Sequence, residues 1–248
     1  MSGTARNGPE RGDNLQVKTV FFDYETTILE EMSLSPDFTN WSVELARSGL
    51  EGRILEIGCG LGGNLNYLSS CGDNLWCSDH NEEYLSFVSL SKNFMLGKTI
   101  LWDINESPKF STGFDSFYCS NVLEHIEDDQ QAILNISRVP HIKKGVIIVP
   151  SNNLLYNRID KNLGHYRRYD KHSLQNKLVK GGFKVISIKS FNKVGAIGWF
   201  VQGFVLRKNT LGEGNMKLYN KLLPLIKLMD KYLPFPGLSH MAVVEKTS

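Results

Sequence analysis

The sequence predicts an α/β fold: a mostly parallel sheet with helices on both faces. Three observations predict it. Between about residues 53 and 189, short β-prone runs alternate with helix-patterned runs, the order that builds a parallel sheet. The first of these runs, Arg53–Ile57, breaks into a glycine-rich turn that opens a helix. Acidic residues then recur at strand ends, as Glu56, Asp79 and Asp103, and strand carboxyl ends are where open α/β sheets bind ligands.

The elements follow in order. Residues 1–14, MSGTARNGPERGDN, are polar and lack an apolar signal core; they read as a disordered tail rather than a secretory leader. Residues 15–248 read as a single domain. Its first part, 15–50, is a helical cap over the sheet edge and ligand site, with one or two helices between Tyr24 and Leu50 and a turn at Ser35-Pro36-Asp37 that carries capping chemistry. Strands are expected at Arg53–Ile57, Asn74–Ser78, Thr99–Trp102, Ser116–Cys119, Gly145–Val149, Lys184–Lys189 and His240–Lys246. Helices are expected at Gly63–Cys71, Glu82–Phe94, Asp129–Val139 and 172–181. The stretch 191–238 interrupts the alternation as an insertion or lid before the last strand. It holds an apolar Gly-rich segment, 194–206, and an amphipathic helix at about Met216–Tyr232. In that helix Leu218, Leu222, Leu225, Met229 and Tyr232 recur at helical spacing. Such a stripe packs on its own domain, joins two copies into a homodimer, closes as a lid, or lies on a membrane surface; the first reading is preferred.

Composition narrows the function. The chain has 248 residues, 41% hydrophobic residues and a formal net charge of +2. That permits a full core and gives no electrostatic pull toward nucleic acid. No apolar run approaches the ~20 residues of a membrane span. The four cysteines, Cys59, Cys71, Cys77 and Cys119, show neither CxxC nor zinc spacing. They read as buried free thiols of a cytoplasmic protein, and no iron–sulfur set is present to support radical chemistry.

The turn itself is RILEIGCGLGGN, Arg53–Asn64. Glycine there permits positive φ and lets a ligand approach the backbone. Gly58, Gly60 and Gly63 also satisfy the dinucleotide pattern G-x-G-x-x-G. Glu56, just before the turn, suits an ammonium better than a pyrophosphate.

Taken together, LEIGCGLGG, LWCSDH, ILWDIN and FDSFYCSNVLEHIEDD (Phe114–Asp129) resemble, in order, the motifs of the class I S-adenosylmethionine-dependent methyltransferases over about residues 50–150. The resemblance implies a Rossmann-like sandwich whose seven-stranded sheet is mostly parallel with the last strand antiparallel. It implies S-adenosylmethionine as cofactor, with Asp79 on the ribose hydroxyls and Asp103 and Ile104 near the adenine. The other expected cofactor residues are Glu56, Gly58, Gly60, Asn64, His80 and Asn121, joined by Tyr24 and Trp41 from the cap.

Methyl transfer is an in-line displacement in which the cofactor brings the activated group and the protein supplies alignment and, for a hydroxyl acceptor, a general base. Two histidines are candidates. His125 follows the fourth strand in NVLEHIEDD; it serves as the base or simply packs its turn. His165 lies in DKNLGHYRRYDKHSL, residues 160–174, which resembles a GHxRRY signature in a bacterial branch of these enzymes. His165 is the first catalytic candidate, with Tyr166, Arg168 and Trp199 as substrate contacts. An arginine here pairs with an acidic substrate group or holds an internal carboxylate such as Asp160 or Asp170. No metal-ligand cluster is evident.

The resulting expectation is a methyltransferase acting on an oxygen or nitrogen of a small molecule: a secondary metabolite, a sugar or a cell-envelope intermediate. The rivals are a protein that binds the same cofactor for other chemistry such as cyclisation, an NAD(P)-dependent oxidoreductase, and a non-catalytic partner subunit that assembles through the amphipathic helix.

Overall fold

The computed structural model describes residues 36–72, 74–90, 98–210 and 212–247. The tail at 1–14, the start of the cap with Tyr24, and the end of the helix expected to reach Phe94 lie outside the described residues.

Seven strands, β1 (Arg53–Ile57), β2 (Asn74–Asp79), β3 (Thr99–Leu101), β4 (Ser116–Ser120), β5 (Lys144–Pro150), β6 (Phe183–Phe191) and β7 (Ser239–Lys246), form one sheet in the order β3-β2-β1-β4-β5-β7-β6. Strands β1 to β5 pair in parallel. β7 enters antiparallel between β5 and β6, and a register shift between Val185 and Ser187 marks a bulge in β6. The chain steps from β1 outward to β2 and β3, then returns to place β4 on the other side of β1. This is the switch point at which a crevice opens. In register, Glu56 and Ile57 of β1 stand beside Cys77 and Ser78 of β2, and Ile57 stands beside Cys119 of β4. The expected acidic positions therefore share one edge.

The helices are α1 (Pro36–Ala46), α2 (Leu65–Leu68), α3 (Glu82–Leu90), α4 (Asp129–Ser137), α5 (Arg158–Asn162), α6 (Lys171–Lys180), α7 (Lys193–Phe200) and α8 (Glu213–Asp230). α2 is shorter than the expected 63–71. Gly62 at φ +80° is not helical, and the hydroxyls of Ser69 and Ser70 bond back to the carbonyls of Asn66 and Tyr67 at the other end.

Strand side chains alternate between two cores, as a period of two requires. Leu55, Ile57, Phe117, Cys119, Ile147 and Val149 pack on one face with Ile133 and Ile136 of α4 and Leu174 and Leu178 of α6. Ile54, Tyr118, Val146 and Ile148 pack on the other with Trp41 and Val43 of α1, Val88 of α3 and Leu223 and Ile226 of α8. Each such fully buried side chain contributes roughly 1.5–3 kcal/mol. All four cysteines are free thiols, three of them buried and Cys71 partly so.

The insertion packs by a different face from the one its periodicity suggested. α8 buries Leu223 and Ile226, whereas Leu218, Leu222 and Leu225 are 56%, 43% and 54% exposed, and Met229 and Tyr232 are exposed with them. Polar anchors decide the rotation. The Tyr219 hydroxyl donates to Asn192 Oδ1 at 2.8 Å, and Asp230 accepts from the Lys193 amide at 2.6 Å. Tyr219, Leu223, Ile226 and Asp230 therefore form the packed stripe, and the preferred reading of the other stripe as a core face is corrected. Among the described residues no helix is long and apolar enough to cross a membrane.

Candidate active site

The glycine turn is built by backbone bonds to the neighbouring strand. The amides of Gly58 and Cys59 both donate to the Ser78 carbonyl, at 2.8 and 3.0 Å. Gly58 and Gly60 have φ of +72° and +50°, values that L side chains adopt only with strain. A Cβ on Gly58 would lie 2.4 Å from Val122 Cγ2, so the turn after β1 and the turn after β4 are in direct contact. Asp79 locks the loop from β2. Its carboxylate accepts from the amides of Gly60 at 2.9 Å and Asn81 at 3.0 Å, and His80 Nδ1 lies 3.3 Å away. Burial opposes ionisation of Asp79, but these partners together hold its pKa below the usual carboxylate value.

Glu56 points the other way energetically. One oxygen accepts from Asn64 Nδ2 at 2.8 Å; the other, Oε2, is buried without a partner. Burial, opposed by the Asn64 bond and reinforced by Asp79, pushes its pKa up to about 8. A buried, unsatisfied acceptor is costly and fits a cationic ligand group. Farther along the same edge, Asp103 is exposed and folds back onto Asn105, Ile104 is buried, and Asn121 stands at φ +54° with its amide on the Ile148 carbonyl.

Beyond β4, a short 3₁₀ turn, Leu123–His125, presents Glu124 and His125. Glu124 is fully buried and neither carboxylate oxygen has a hydrogen-bond partner. Burial, only partly offset by its own backbone amide and by the charge of Arg168, raises its pKa to about 8. His125 is exposed; the protein packed against the inner side of its ring, with His165 adding to the effect, lowers its pKa. Its ring meets that of His165 edge-on, 4.7 Å between centroids.

Residues 165–169 run back across this turn as a strap. The Tyr166 amide donates to the Glu124 carbonyl at 2.8 Å. Arg167 reaches the Glu127 carbonyl and the Asp129 carboxylate, which also accepts from Tyr169 and Lys177. On the other side of the strap, Asp160 gathers four donors: His165 Nδ1 at 2.9 Å and Arg168 Nε at 2.7 Å on one oxygen, the Asn157 amide at 2.9 Å and Trp199 Nε1 at 3.3 Å on the other. Burial of Asp160 is outweighed by these partners, and its pKa falls below the usual range.

The structure thus brings Glu56, Gly58, Gly60, Asn64 and Asp79 together, and places His125 beside His165. It reassigns others. Arg168 is buried, bound to Asp160 and to the Ser151 carbonyl, with its guanidinium 4.6 Å from the Trp199 ring centre; it holds an internal carboxylate rather than a substrate group. Trp199 is buried in the same assembly, and its neighbour Phe200 instead lines an apolar recess of about 320 Å³ with Leu155, Ala196, Ile197, Phe235 and Pro236. Tyr166 is exposed. Trp41 is buried, packing against Phe38 and Phe191 beneath Lys227, in the core cluster that also holds Cys59 of the glycine turn. Sequence reasoning did not foresee that Glu124 is buried or that Asp160 gathers four donors. Two adjacent polar residues, Glu124-His125, on a turn after a buried strand were the available signal for the first.

The 3-2-1-4-5-7-6 sheet, with a glycine turn after β1 and an acid after β2, is the Rossmann-like methyltransferase fold that the sequence resemblance implied. Residues 55–149 match the family model described as a methyltransferase domain. A search of curated proteins finds no match to the chain. Among solved structures, an S-adenosylmethionine-dependent methyltransferase from Archaeoglobus fulgidus is similar at a TM-score of 0.58 and 20% identity, covering 90% of this chain and 100% of the other. A second, from Clostridium acetobutylicum, is similar at 0.55 and 13%, covering 91% and 96%. The [4+2]-cyclase SpnF is similar at 0.54 and 15%, covering 84% and 81%. Residues 55–149 are thus similar to a methyltransferase domain, the solved structures share its fold, and S-adenosylmethionine is the cofactor that this similarity implies.

Proposed function

We propose that the chain methylates an oxygen or nitrogen of a small-molecule acceptor, such as a secondary metabolite, a sugar or a cell-envelope intermediate, bound beside His125 and His165. The single observation that supports this reading most is the His165–Asp160 pair, whose imidazole packs on His125 in the turn after β4. Asp160 accepts at Nδ1 and so favours the tautomer whose Nε2 lone pair is free to take a proton. His125 packs edge-on against the His165 ring.

Bound S-adenosylmethionine supplies a methyl group on sulfur, which passes to the acceptor as the sulfur–carbon bond breaks. The chain's residues do the rest. The unpartnered Glu56 Oε2 receives the ammonium, Asp79 receives the ribose diol, and the amides of the glycine turn approach the cofactor where a Cβ is forbidden. His80, Asp103, Ile104 and Asn121 complete that edge, and Tyr24 from the cap belongs to the same set. His165 accepts the acceptor's proton. The apolar recess at Phe200 takes a hydrophobic part of the acceptor. The exposed stripe of α8 serves self-association, read by light scattering on the protein and on Leu222→Glu.

The testing experiment is an acceptor screen that reads S-adenosylhomocysteine. Turnover that depends on His165 supports the proposal. Tight cofactor binding with product formed but no S-adenosylhomocysteine favours a non-methylating chemistry. Binding of NAD(P) in its place overturns the reading.

A further inference from the structure

We propose that Glu124, His125 and His165 form a site for one divalent transition-metal ion, which holds the acceptor oxygen next to the cofactor turn. The three side chains each offer a ligand atom, and these atoms lie within 4.8 Å of one another. Ligands around a single ion with bonds of roughly 2.0–2.2 Å stand about 3.3–4.4 Å apart, so small side-chain rotations bring the three atoms onto one ion. Two imidazoles and one carboxylate select the zinc, iron, cobalt or manganese class over calcium or magnesium, which prefer oxygen alone. Three protein ligands leave positions open for a substrate oxygen.

Three further observations point to a ligand. Glu124 is fully buried, and both its oxygens lack partners. An unpaired buried carboxyl is among the most costly arrangements a fold can keep, and a cation removes the cost. His165 is oriented as metal-binding histidines are: Nδ1 engages a carboxylate, Asp160, which leaves Nε2 as the ligand atom. Asp160 in turn is fixed by Arg168, Asn157 and Trp199, so the outer partner of the site is rigid. The third observation is space. Gly164 has φ +73°, and a Cβ built there would lie 3.9 Å from His125 Nδ1, so the chain bends sharply next to the ligand group without crowding it. The site adjoins the cofactor turn through the Val122–Gly58 contact.

A bound cation lowers the pKa of an oxygen it holds. With the ion bound, the acceptor hydroxyl gives its proton to water and His165 serves as a ligand; the base role given to His165 under the proposed function belongs to the metal-free protein. This role rests on the methyltransferase reading; metal binding by itself does not.

The test is direct titration of tag-free, metal-stripped protein with Co²⁺, followed by visible absorption, and with Zn²⁺, followed by calorimetry. One equivalent should bind with a Kd in the micromolar range or below, with d–d bands of nitrogen and oxygen ligation. His125→Asn, His165→Asn and the isosteric Glu124→Gln should each abolish the bands. Asp160→Asn should weaken binding by about 10–100-fold, and His172→Asn, outside the group, should change nothing. Circular dichroism and melting curves establish that each variant folds; His125 reaches solvent, so its substitution tests the site without threatening the core. No saturable binding by folded wild-type protein, or binding that survives all three ligand substitutions, overturns the site. Cofactor titration runs alongside. Cofactor binding without metal binding overturns the metal site and spares the methyltransferase reading; metal binding without cofactor binding does the reverse.

Discussion

His165 and Asp160 stand 2.9 Å apart, imidazole Nδ1 to carboxylate Oδ1, on a carboxylate that Arg168 holds from the same side at 2.7 Å. One buried group thus sets the tautomer of a histidine and neutralises a guanidinium. Asp160→Asn removes the charge but keeps the volume. It should cost about 3–5 kcal/mol of stability, because it strands a buried Arg168, and should lower kcat while leaving the Kd for S-adenosylmethionine within about twofold. Chemical denaturation and cofactor calorimetry on the same preparation check both parts. A large loss of cofactor affinity would place Asp160 in the cofactor site.

Asp79 is expected to bind the cofactor ribose, but it also ties down the amides of Gly60 and Asn81. Asp79→Ala should weaken cofactor binding at least about tenfold, or 1.4 kcal/mol. Asp79→Asn, which retains one acceptor oxygen for the turn, should lie between Ala and wild type. Unchanged affinity in Asp79→Ala would end the assignment.

Gly58→Ala places a methyl group 2.4 Å from Val122 Cγ2 at a φ of +72°. Both the clash and the backbone strain count. Activity should fall by more than an order of magnitude, and the double variant Gly58→Ala/Val122→Ala should recover only the part due to the clash. Melting temperature and cofactor affinity, measured across the four proteins, separate the two costs.

The pH dependence of Glu56 has a definite sign. Its folded pKa is raised from 4.5 to about 8, so the folded state holds a proton that the unfolded chain gives up. The cofactor-free protein should therefore lose stability as pH rises from about 4.5 to 8, by an amount on the order of 2–4 kcal/mol. Glu56→Gln should match wild type near pH 5 and exceed it near pH 8.5, yet bind cofactor less tightly. An ammonium at Oε2 favours the carboxylate, so cofactor binding at pH 7 should release a proton. Calorimetry in buffers of different ionisation enthalpy reads it, and the release should vanish in Glu56→Gln.

Much of this was legible in the chain because it is local. Strand positions, the glycine turn and the line of Glu56, Asp79 and Asp103 follow from hydrophobic period and from the rule that parallel strands end on one edge. Side-chain partners did not follow. For the arginines the sequence left open a substrate group or an internal carboxylate such as Asp160; the fold pairs Arg168 with Asp160 and adds Trp199 to the same carboxylate. Glu124 and His165 lie some forty residues apart, and they meet because the strap after β5 recrosses the turn after β4. In α8 two stripes of similar hydrophobicity competed, and hydrogen bonds from Tyr219 and Asp230 chose the one with fewer leucines.

The four-donor arrangement around Asp160 bears on how molecules enter. Trp199 joins α7 to that carboxylate, Asp230 and Tyr219 tie α8 to the start of α7, and a side chain on Gly203 would collide with Asn157. The insertion is riveted at both ends of α7. Under the proposed function, an insertion held in this way does not swing aside in each cycle, and the pace of turnover should show little dependence on solvent viscosity.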